Sequence, residues 1–257
     1  MGKRVLQGMA LVCAALMLAG AGGRPAHAQP NAAEQAVYTY VALWVTPRPQ
    51  WGDIEKFYQD ARPTLDKLVA NGTLVGWGNA RAFVHDSSGF THANWITAAS
   101  FANIARALDA VRAALPQPAA FAGSKHEDLF LRATIHGEKP GARGTGMLWV
   151  AHYELRPGQT EEFTRLFETE IKPLFDEQIA AGSILSYSLN FEAVHTGSPN
   201  GVSVAYVLPD AAAIDKFQAA LAAYETKRPE TGPSMEAAMN FAAHRDSLYE
   251  ILSFGQK

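Results

Sequence analysis

The chain has 257 residues, 48% of them hydrophobic and 18% charged, and a formal net charge of −3. No block of lysine or arginine occurs, so the sequence lacks the positive surface that a nucleic-acid backbone requires, and we expect no nucleic-acid partner. The only cysteine is Cys13, near the N terminus, so the rest of the chain can form no disulfide and offers no cysteine metal ligand.

Residues 1–28 have the pattern of a secretory signal peptide. Lys3 and Arg4 precede an apolar run, and Ala26-His27-Ala28 is a small-x-small cleavage site. The run is short for a membrane span, which needs about 20 apolar residues. We therefore predict an exported protein, periplasmic or secreted, that is not stably inserted in a membrane after cleavage. The signal contains three basic residues and no acidic ones, which leaves 19 basic and 25 acidic side chains and a net charge of about −6.

The region after the signal predicts a β-α-β-β-α-β unit over residues 37–136. Residues 38–46 are rich in aromatic and branched side chains and end at Pro47, as a strand does. Residues 53–70 carry apolar side chains at helical spacing and stop at Asn71-Gly72. The remaining elements are a hairpin, a helix and a closing strand, at residues 73–85, 91–100, 101–115 and 129–135.

A second unit of the same pattern is predicted over residues 147–257, after a linker at 137–146 that contains Pro140, Gly141 and Gly144. Its predicted strands are residues 147–156, 183–195, 202–208 and 248–254, and its predicted helices are residues 160–181, 211–224 and 233–243. Pro63 and Pro173 fall at the same place in the first helix of each unit, which predicts a kink or a broken turn in both.

The two units are a sequence duplication. Residues 40–113 align with residues 150–223 without a gap, at an offset of 110. The identical pairs include Pro47/Pro157, Phe57/Phe167, Pro63/Pro173, Asp66/Asp176, Gly72/Gly182, Val84/Val194, His85/His195 and Ile104/Ile214.

The duplication predicts the architecture. A four-stranded β-α-β-β-α-β sheet carries helices on one face only, and its bare face needs a partner. We therefore predict an α+β fold in which two tandem ferredoxin-like repeats pack sheet to sheet as an intramolecular dimeric α+β barrel. The protein would be a monomer with an internal pseudo-dimer, or a homodimer, and the barrel interior is the natural place for a ligand.

A family resemblance agrees with this architecture. The run Glu154-Leu155-Arg156-Pro157-Gly158, followed by Phe163, Pro173-Leu174 and Gly182, resembles the start of a NIPSNAP or EthD-type module and covers about half of each repeat. The resemblance implies the dimeric α+β barrel superfamily, whose members include cofactor-free monooxygenases, small-ring isomerases and haem-dependent enzymes. Its implication for the fold is stronger than its implication for function.

Strand alternation suggests which side chains face the interior. In the first strand of each unit, Tyr40 and Trp44 of copy one and His152 and Glu154 of copy two fall on the face that we expect inside the barrel. His152 and Glu154 are then a candidate general acid/base pair. The alternative is a polar strand end near solvent.

Histidines concentrate at one predicted end of each sheet. His85 and His195 are equivalent across the repeat, and His92, His126 and His244 lie at neighbouring strand ends. A neutral imidazole there could move a proton, for which one of His85 and His195 is the candidate, or ligate a metal or haem iron. The alternative is a structural histidine that caps a hairpin, and no spacing in the chain resembles a metal-ligand motif.

The second strand of each unit supplies candidate ligand-binding residues. Trp77, its counterpart Tyr187, and Arg81, together with His92 on the next strand, could line the pocket and hydrogen-bond an aromatic or carbonyl group. Large aromatic side chains in strands are more often core residues.

Three hypotheses about function follow. The first is an exported protein that binds or transforms a small apolar or aromatic molecule, as a cofactor-independent monooxygenase or isomerase. The second is a barrel that binds haem or a metal through a histidine. The third is a non-catalytic binding module, favoured if the histidines are exposed and the barrel is filled by its own side chains. The cofactor is therefore unknown, with none preferred and haem the alternative.

Overall fold

A computed structural model describes residues 37–85 and 88–257. The predicted signal peptide lies outside the described residues. Eight strands are present in this part of the chain: β1 (Val37–Val45), β2 (Gly76–Ala82), β3 (His92–Ala98), β4 (Lys125–Glu138), β5 (Arg143–Glu154), β6 (Ser186–Val194), β7 (Gly201–Leu208) and β8 (Arg245–Gln256). The α-helices are α1 (Trp51–Ala70), α2 (Phe101–Ala114), α3 (Ala119–Ala122), α4 (Thr160–Leu166), α5 (Lys172–Ala180), α6 (Ala211–Lys227) and α7 (Thr231–Ala238).

The strands form a closed antiparallel barrel in the order β1-β3-β2-β8-β5-β7-β6-β4. Within each half the order is that of a ferredoxin-like sheet, β4-β1-β3-β2 in the first and β8-β5-β7-β6 in the second. Two seams join the halves, β2 with β8 and β4 with β6. The fold is therefore the α+β barrel that the duplication predicts, with the two sheets paired edge to edge.

Sequence signals mark the starts of α2 and α6 and the ends of α1 and α5. Ser100 caps α2 by accepting a hydrogen bond from the Asn103 amide, and Asp210 caps α6 in the same way through the Ala213 amide. Gly72 and Gly182 follow the helices at φ of 77° and 75°, a backbone conformation that favours glycine.

The structure differs from the sequence-based expectations at the linker and at one of the two prolines. The halves are joined by a turn at residues 139–142, because β4 extends to Glu138 and β5 begins at Arg143, so the expected linker at 137–146 is mostly strand. The expected broken turn is present in the second half, where a π-helical turn, Phe167–Ile171, precedes Pro173. In the first half α1 continues through Pro63 without a broken turn.

The core lies on both sides of the barrel wall. Each half has an apolar layer between its sheet and its helices, around Trp77 and Ile104 in the first half and Phe163 and Phe217 in the second. A third apolar cluster, which includes Leu148 and Phe254, lies inside the barrel. Within the described residues, no helix is both long and apolar enough to cross a membrane.

Substitution of Gly146 tests how closely β5 and β7 approach each other in the barrel wall. A Cβ added at Gly146 would lie 2.3 Å from the Leu208 carbonyl oxygen, a backbone atom of the neighbouring strand, whereas a Cβ at Gly52 in α1 meets nothing within 4 Å. We expect Gly146→Ala to lower the free energy of unfolding by about 2 kcal/mol. Gly52→Ala should raise it by about 0.5 kcal/mol, because alanine favours the helix. Urea denaturation of both variants measures the difference, and equal effects would contradict the close approach.

Candidate functional site

The barrel encloses two adjoining cavities of about 190 and 360 Å³. The smaller, which we call the chamber, has mainly apolar walls that include Val41, Trp95 and Leu131. The larger, which we call the mouth, has a mixed lining that is more polar than that of the chamber. Its charged lining residues are Glu127, Glu154, Glu192 and Arg245. The residues that line both cavities, and so mark the boundary between them, are three leucines and four polar residues: Leu43, Leu129, Leu131, His152, Asn190, Ser203 and Tyr249.

Three of the boundary residues form a row across neighbouring strands. His152 on β5 lies directly opposite Ser203 on β7, and Ser203 lies opposite Asn190 on β6. Directly opposed residues on one face of a sheet have Cβ atoms about 5 Å apart, so their side chains can contact one ligand group together. We call His152, Ser203 and Asn190 the polar row.

Two members of the polar row, Asn190 and Ser203, have unused hydrogen-bonding capacity. Asn190 is only 3% exposed, and its Nδ2 donates to the Ser188 carbonyl oxygen at 3.1 Å and to Ser188 Oγ at 2.9 Å. Those two bonds orient the amide, and no group in the described part of the chain donates to Asn190 Oδ1 or bonds the Ser203 hydroxyl. Both residues line the cavities, so these two atoms can accept or donate a hydrogen bond to a ligand or a water there.

His152 and Glu154 reach the cavities as the alternation predicts. Both line the mouth, and Glu154 lies two residues further out on β5, where its Oε1 accepts a hydrogen bond from Ser198 Oγ at 3.2 Å. The structure therefore brings a half-buried imidazole and a carboxylate to one face, with the imidazole at the edge of the apolar chamber.

The prediction that Tyr40 and Trp44 face the barrel interior is wrong. The two copies are offset by 109 residues between β1 and β5, not by the 110 residues of the ungapped alignment. Leu43 opposes Ala93 and His152 opposes Ser203, and although Ala93 and Ser203 are 110 residues apart, Leu43 and His152 are 109 apart. A shift of one residue turns a strand's side chains to the other face. Val41 and Leu43, expected beneath the helices, therefore line the chamber.

Tyr40 and Trp44 consequently lie outside the barrel. The Tyr40 hydroxyl donates to Asp128 Oδ1 at 2.7 Å, and burial together with Asp128 raises the pKa of Tyr40. The Trp44 ring centroid lies 4.3 Å from that of Phe121 and 4.7 Å from that of His126. Tyr40 packs in the outer core layer of the first half, and Trp44 packs against Phe121 of α3.

Trp77 and Tyr187 reach the chamber wall but direct their polar atoms away from it. The Trp77 indole donates to Asp66 Oδ1 at 3.1 Å and the Tyr187 hydroxyl to Asp176 Oδ1 at 2.6 Å. Burial, followed by the bond to Asp176, raises the pKa of Tyr187. The two bonds are equivalent across the repeat, which makes these residues structural links between strand and helix.

Arg81 and His92 belong to a second polar cluster, beneath α1 on the outer face. Arg81 pairs with Glu55 at 2.9 Å and with Glu250 at 2.6 Å. His92 is fully buried, with Nδ1 at 3.0 Å from Thr91 Oγ1 and Nε2 at 3.7 Å from Glu55 Oε1. Neither residue lines the chamber or the mouth, so their expected role in ligand binding is wrong for this cavity.

The histidines at the sheet ends do not form a site. His85 and His195 are exposed, beyond the ends of β2 and β6, and neither lines the two cavities. His126 stacks on Trp44, and His244 stacks on Tyr153 with ring centroids 4.7 Å apart. In residues 37–85 and 88–257, no group of three or more His, Cys, Asp or Glu side chains is arranged to hold a metal ion. The histidines considered as haem or metal ligands therefore lie outside the two cavities.

Sequence reasoning missed Asn190, Ser203, Tyr249 and His136, all of which line the chamber. A signal for Asn190 was present, since Ser186, Ser188 and Asn190 alternate with apolar residues along β6 and make a polar stripe on a buried strand. His136 could not be found by alternation, because a register shift precedes it in β4.

Comparisons with known proteins identify the fold. No family model and no curated protein matches the sequence. Among solved structures, a candidate monooxygenase from Fusobacterium nucleatum matches with a TM-score of 0.61 at 10% identity, over 86% of this chain and 94% of that one. A candidate monooxygenase from Lactobacillus acidophilus matches with 0.55 at 9%, over 87% and 97%. An anthrone oxidase-like protein matches with 0.50 at 9%, over 86% and 94%. At such identities the likeness shows the shared fold alone.

The outer cluster predicts a pH dependence of stability. Burial lowers the pKa of His92 from 6.5 to about 4, so between these values the unfolded chain binds a proton that the folded chain does not. The free energy of unfolding should therefore fall as the pH drops from 6.5 towards 4, by up to about 1.4 kcal/mol per pH unit. Chemical denaturation across this range should show a shallower slope for His92→Phe than for wild type. His85→Gln, at an exposed histidine, is the control, and an unchanged slope in His92→Phe would refute the assignment.

Proposed function

We propose that the protein binds a small, largely apolar molecule of aromatic character in the chamber, and that His152 moves a proton at the polar end of that molecule. The observation that supports this most is the polar row at the edge of a chamber whose other walls are mainly apolar. An apolar pocket with a few convergent polar groups is the usual form of a small-molecule site. Both seams close within one chain, so the function would not require a second copy.

The chemistry that fits the row is proton abstraction. An imidazole is a suitable base near neutral pH, and Ser203 and Asn190 can orient a hydroxyl or carbonyl group beside it. Return of the proton to another atom of the same molecule is isomerisation. Reaction of the resulting anion with dioxygen is oxygenation, and neither outcome needs an organic cofactor.

The sequence resemblance gives this proposal a family context. We infer from this resemblance that the chain is a tandem relative of NIPSNAP or EthD-type modules. The run from Glu154 to Gly158 lies at the end of β5 and the approach to α4. Three structural matches carry names of monooxygenases or of an anthrone oxidase-like protein, which supports oxygenase chemistry as the first reaction to test. The non-catalytic alternative gains from the exposed His85 and His195 but not from the barrel, which encloses open space.

Loss of His152 should remove proton transfer and leave the fold intact. We expect His152→Gln to slow deuterium exchange from solvent into an anthrone, measured under nitrogen, by at least about 100-fold, the usual contribution of a general base. Dioxygen uptake in air should fall by the same factor if oxygenation follows.

His85→Gln and His195→Gln provide matched controls, because these exposed histidines lie outside both cavities. Equal rates in all three variants and in wild type would refute a catalytic role for His152.

We also propose that the protein is exported. The signal pattern predicts cleavage after Ala28, so N-terminal sequencing of the protein from its native host should begin at Gln29. Recovery of the protein in the cytoplasmic fraction alone, with every chain beginning at Met1, would contradict export.

A further inference from the structure

The chamber has a second group of polar side chains, at the end opposite the mouth. His136 on β4, Ser186 on β6 and Gln256 on β8 line it there, and we call them the far-end set. Gln256 donates through Nε2 to the Lys139 carbonyl oxygen at 3.0 Å, which leaves its Oε1 available. Throughout the described ranges, no protein group hydrogen-bonds the His136 ring or the Ser186 hydroxyl. The far-end set therefore resembles the polar row in having unused donors and acceptors at a mainly apolar wall.

A β-bulge directs His136 into the chamber. The β4–β6 register shifts between Ala133 and Ile135. Ala133 and His136 both line the chamber, whereas Ile135 packs in the outer core. Thr134 is the extra residue, and its buried Oγ1 has no partner in the part of the chain that the structure describes. Bulges of this kind re-aim a side chain at some cost to the ladder.

The seam between β2 and β8 has an apolar residue at the place that corresponds to His136. Between β2 and β8 the register shifts where Asn79 opposes Ser253 and Ala80 opposes Ile251, and the residue that follows inside the chamber is Phe254. The barrel therefore turns a side chain inward near each seam. One half places a phenyl ring there and the other an imidazole.

The electrostatics of the far-end set favour an uncharged partner. Burial, with a smaller effect of Lys172, lowers the pKa of His136, so its imidazole is neutral near pH 7 and offers one donor and one acceptor. Ser186 and Gln256 are also uncharged. Glu138 lies at the exposed rim beside them, and its negative charge disfavours a carboxylate or phosphate.

The two polar groups are separated by a defined length of strand. On β6, Asn190 is four residues from Ser186, and His136 lies opposite Ser188, two residues from Asn190. At about 3.3 Å per residue, the far-end set begins roughly 7 Å from the polar row and extends to roughly 13 Å from it.

We propose that the chamber binds molecules with two uncharged polar ends on a rigid apolar body, with the distal hydroxyl or carbonyl held by His136 and Ser186. This rests on the proposed ligand-binding function of the chamber, and it adds the ligand class. A molecule with one polar end can engage the polar row, but it leaves the far-end set unsatisfied.

The test compares two rigid probes that differ in one hydroxyl, 4-phenylphenol and 4,4′-biphenol, by titration calorimetry. Wild type should bind 4,4′-biphenol at least as tightly as 4-phenylphenol. His136→Leu should weaken binding of 4,4′-biphenol by about 5- to 10-fold, the loss expected for one buried hydrogen bond, and change binding of 4-phenylphenol by less than about 2-fold.

Three further variants keep the test decisive. His136→Gln retains a donor and an acceptor and should keep the wild-type affinity for 4,4′-biphenol. His136→Phe, which carries the ring that the other seam places in the chamber, replaces the leucine variant if that variant fails to fold. His195→Leu, an exposed histidine outside both cavities, should leave both affinities unchanged.

Three results would overturn the inference. If His136→Leu changes the two affinities by the same factor, or if His136→Gln binds both probes as the leucine variant does, the far-end set is not a binding site although the chamber is. If wild type binds neither probe, the proposed function of the chamber fails together with the inference.

Discussion

Edge pairing between the two halves is the constraint on which the rest of the structure depends. Each ferredoxin-like sheet alone would expose one apolar face and two unpaired edges, both of which favour aggregation. Pairing of β2 with β8 and of β4 with β6 removes all four edges and turns both bare faces inward. The chamber exists because the barrel closes, and the seams contain the bulges that set which side chains enter it.

In the closed barrel, the two copies differ in where their polar side chains lie, inside the barrel in the second half and beneath the helices in the first. The polar row of His152, Ser203 and Asn190 has Leu43, Ala93 and Ala80 at the equivalent ladder positions of the first half. The reverse holds beneath the helices, where His92 and Asn94 of the first half correspond to Val202 and Val204 of the second. One half thus supplies an apolar wall and the other the polar groups of the cavity, a division that two identical chains could not make.

The sequence was sufficient for the architecture because the fold depends on periodicity and turn signals. The helix over 160–181, the hairpins and the glycine stops at Gly72 and Gly182 all follow from local patterns. The duplication then implied that two sheets share a core, since neither can bury its bare face alone. None of these inferences needs the position of any single side chain.

The candidate site was predicted only in part, because it depends on strand register to within one residue. His152 and Glu154 were placed correctly, but the ungapped alignment put Tyr40 and Trp44 inside the barrel when the offset in that strand is 109 rather than 110. The bulge at Thr134 turns His136 inward against simple alternation. Asn190 became a candidate only when its place in the ladder, opposite Ser203, was known.

Filling the chamber tests the central claim of a ligand site inside the closed barrel. Ala205 lines the chamber at the position equivalent to Trp95, so Ala205→Phe should occupy the space beside the polar row without adding a charge. We would compare wild type and this variant, both purified from the native host, by native mass spectrometry and absorbance. The account predicts one small organic molecule per chain in wild type and none in a variant that is equally folded. The same bound mass in both proteins would contradict it, because the molecule would then lie outside the chamber.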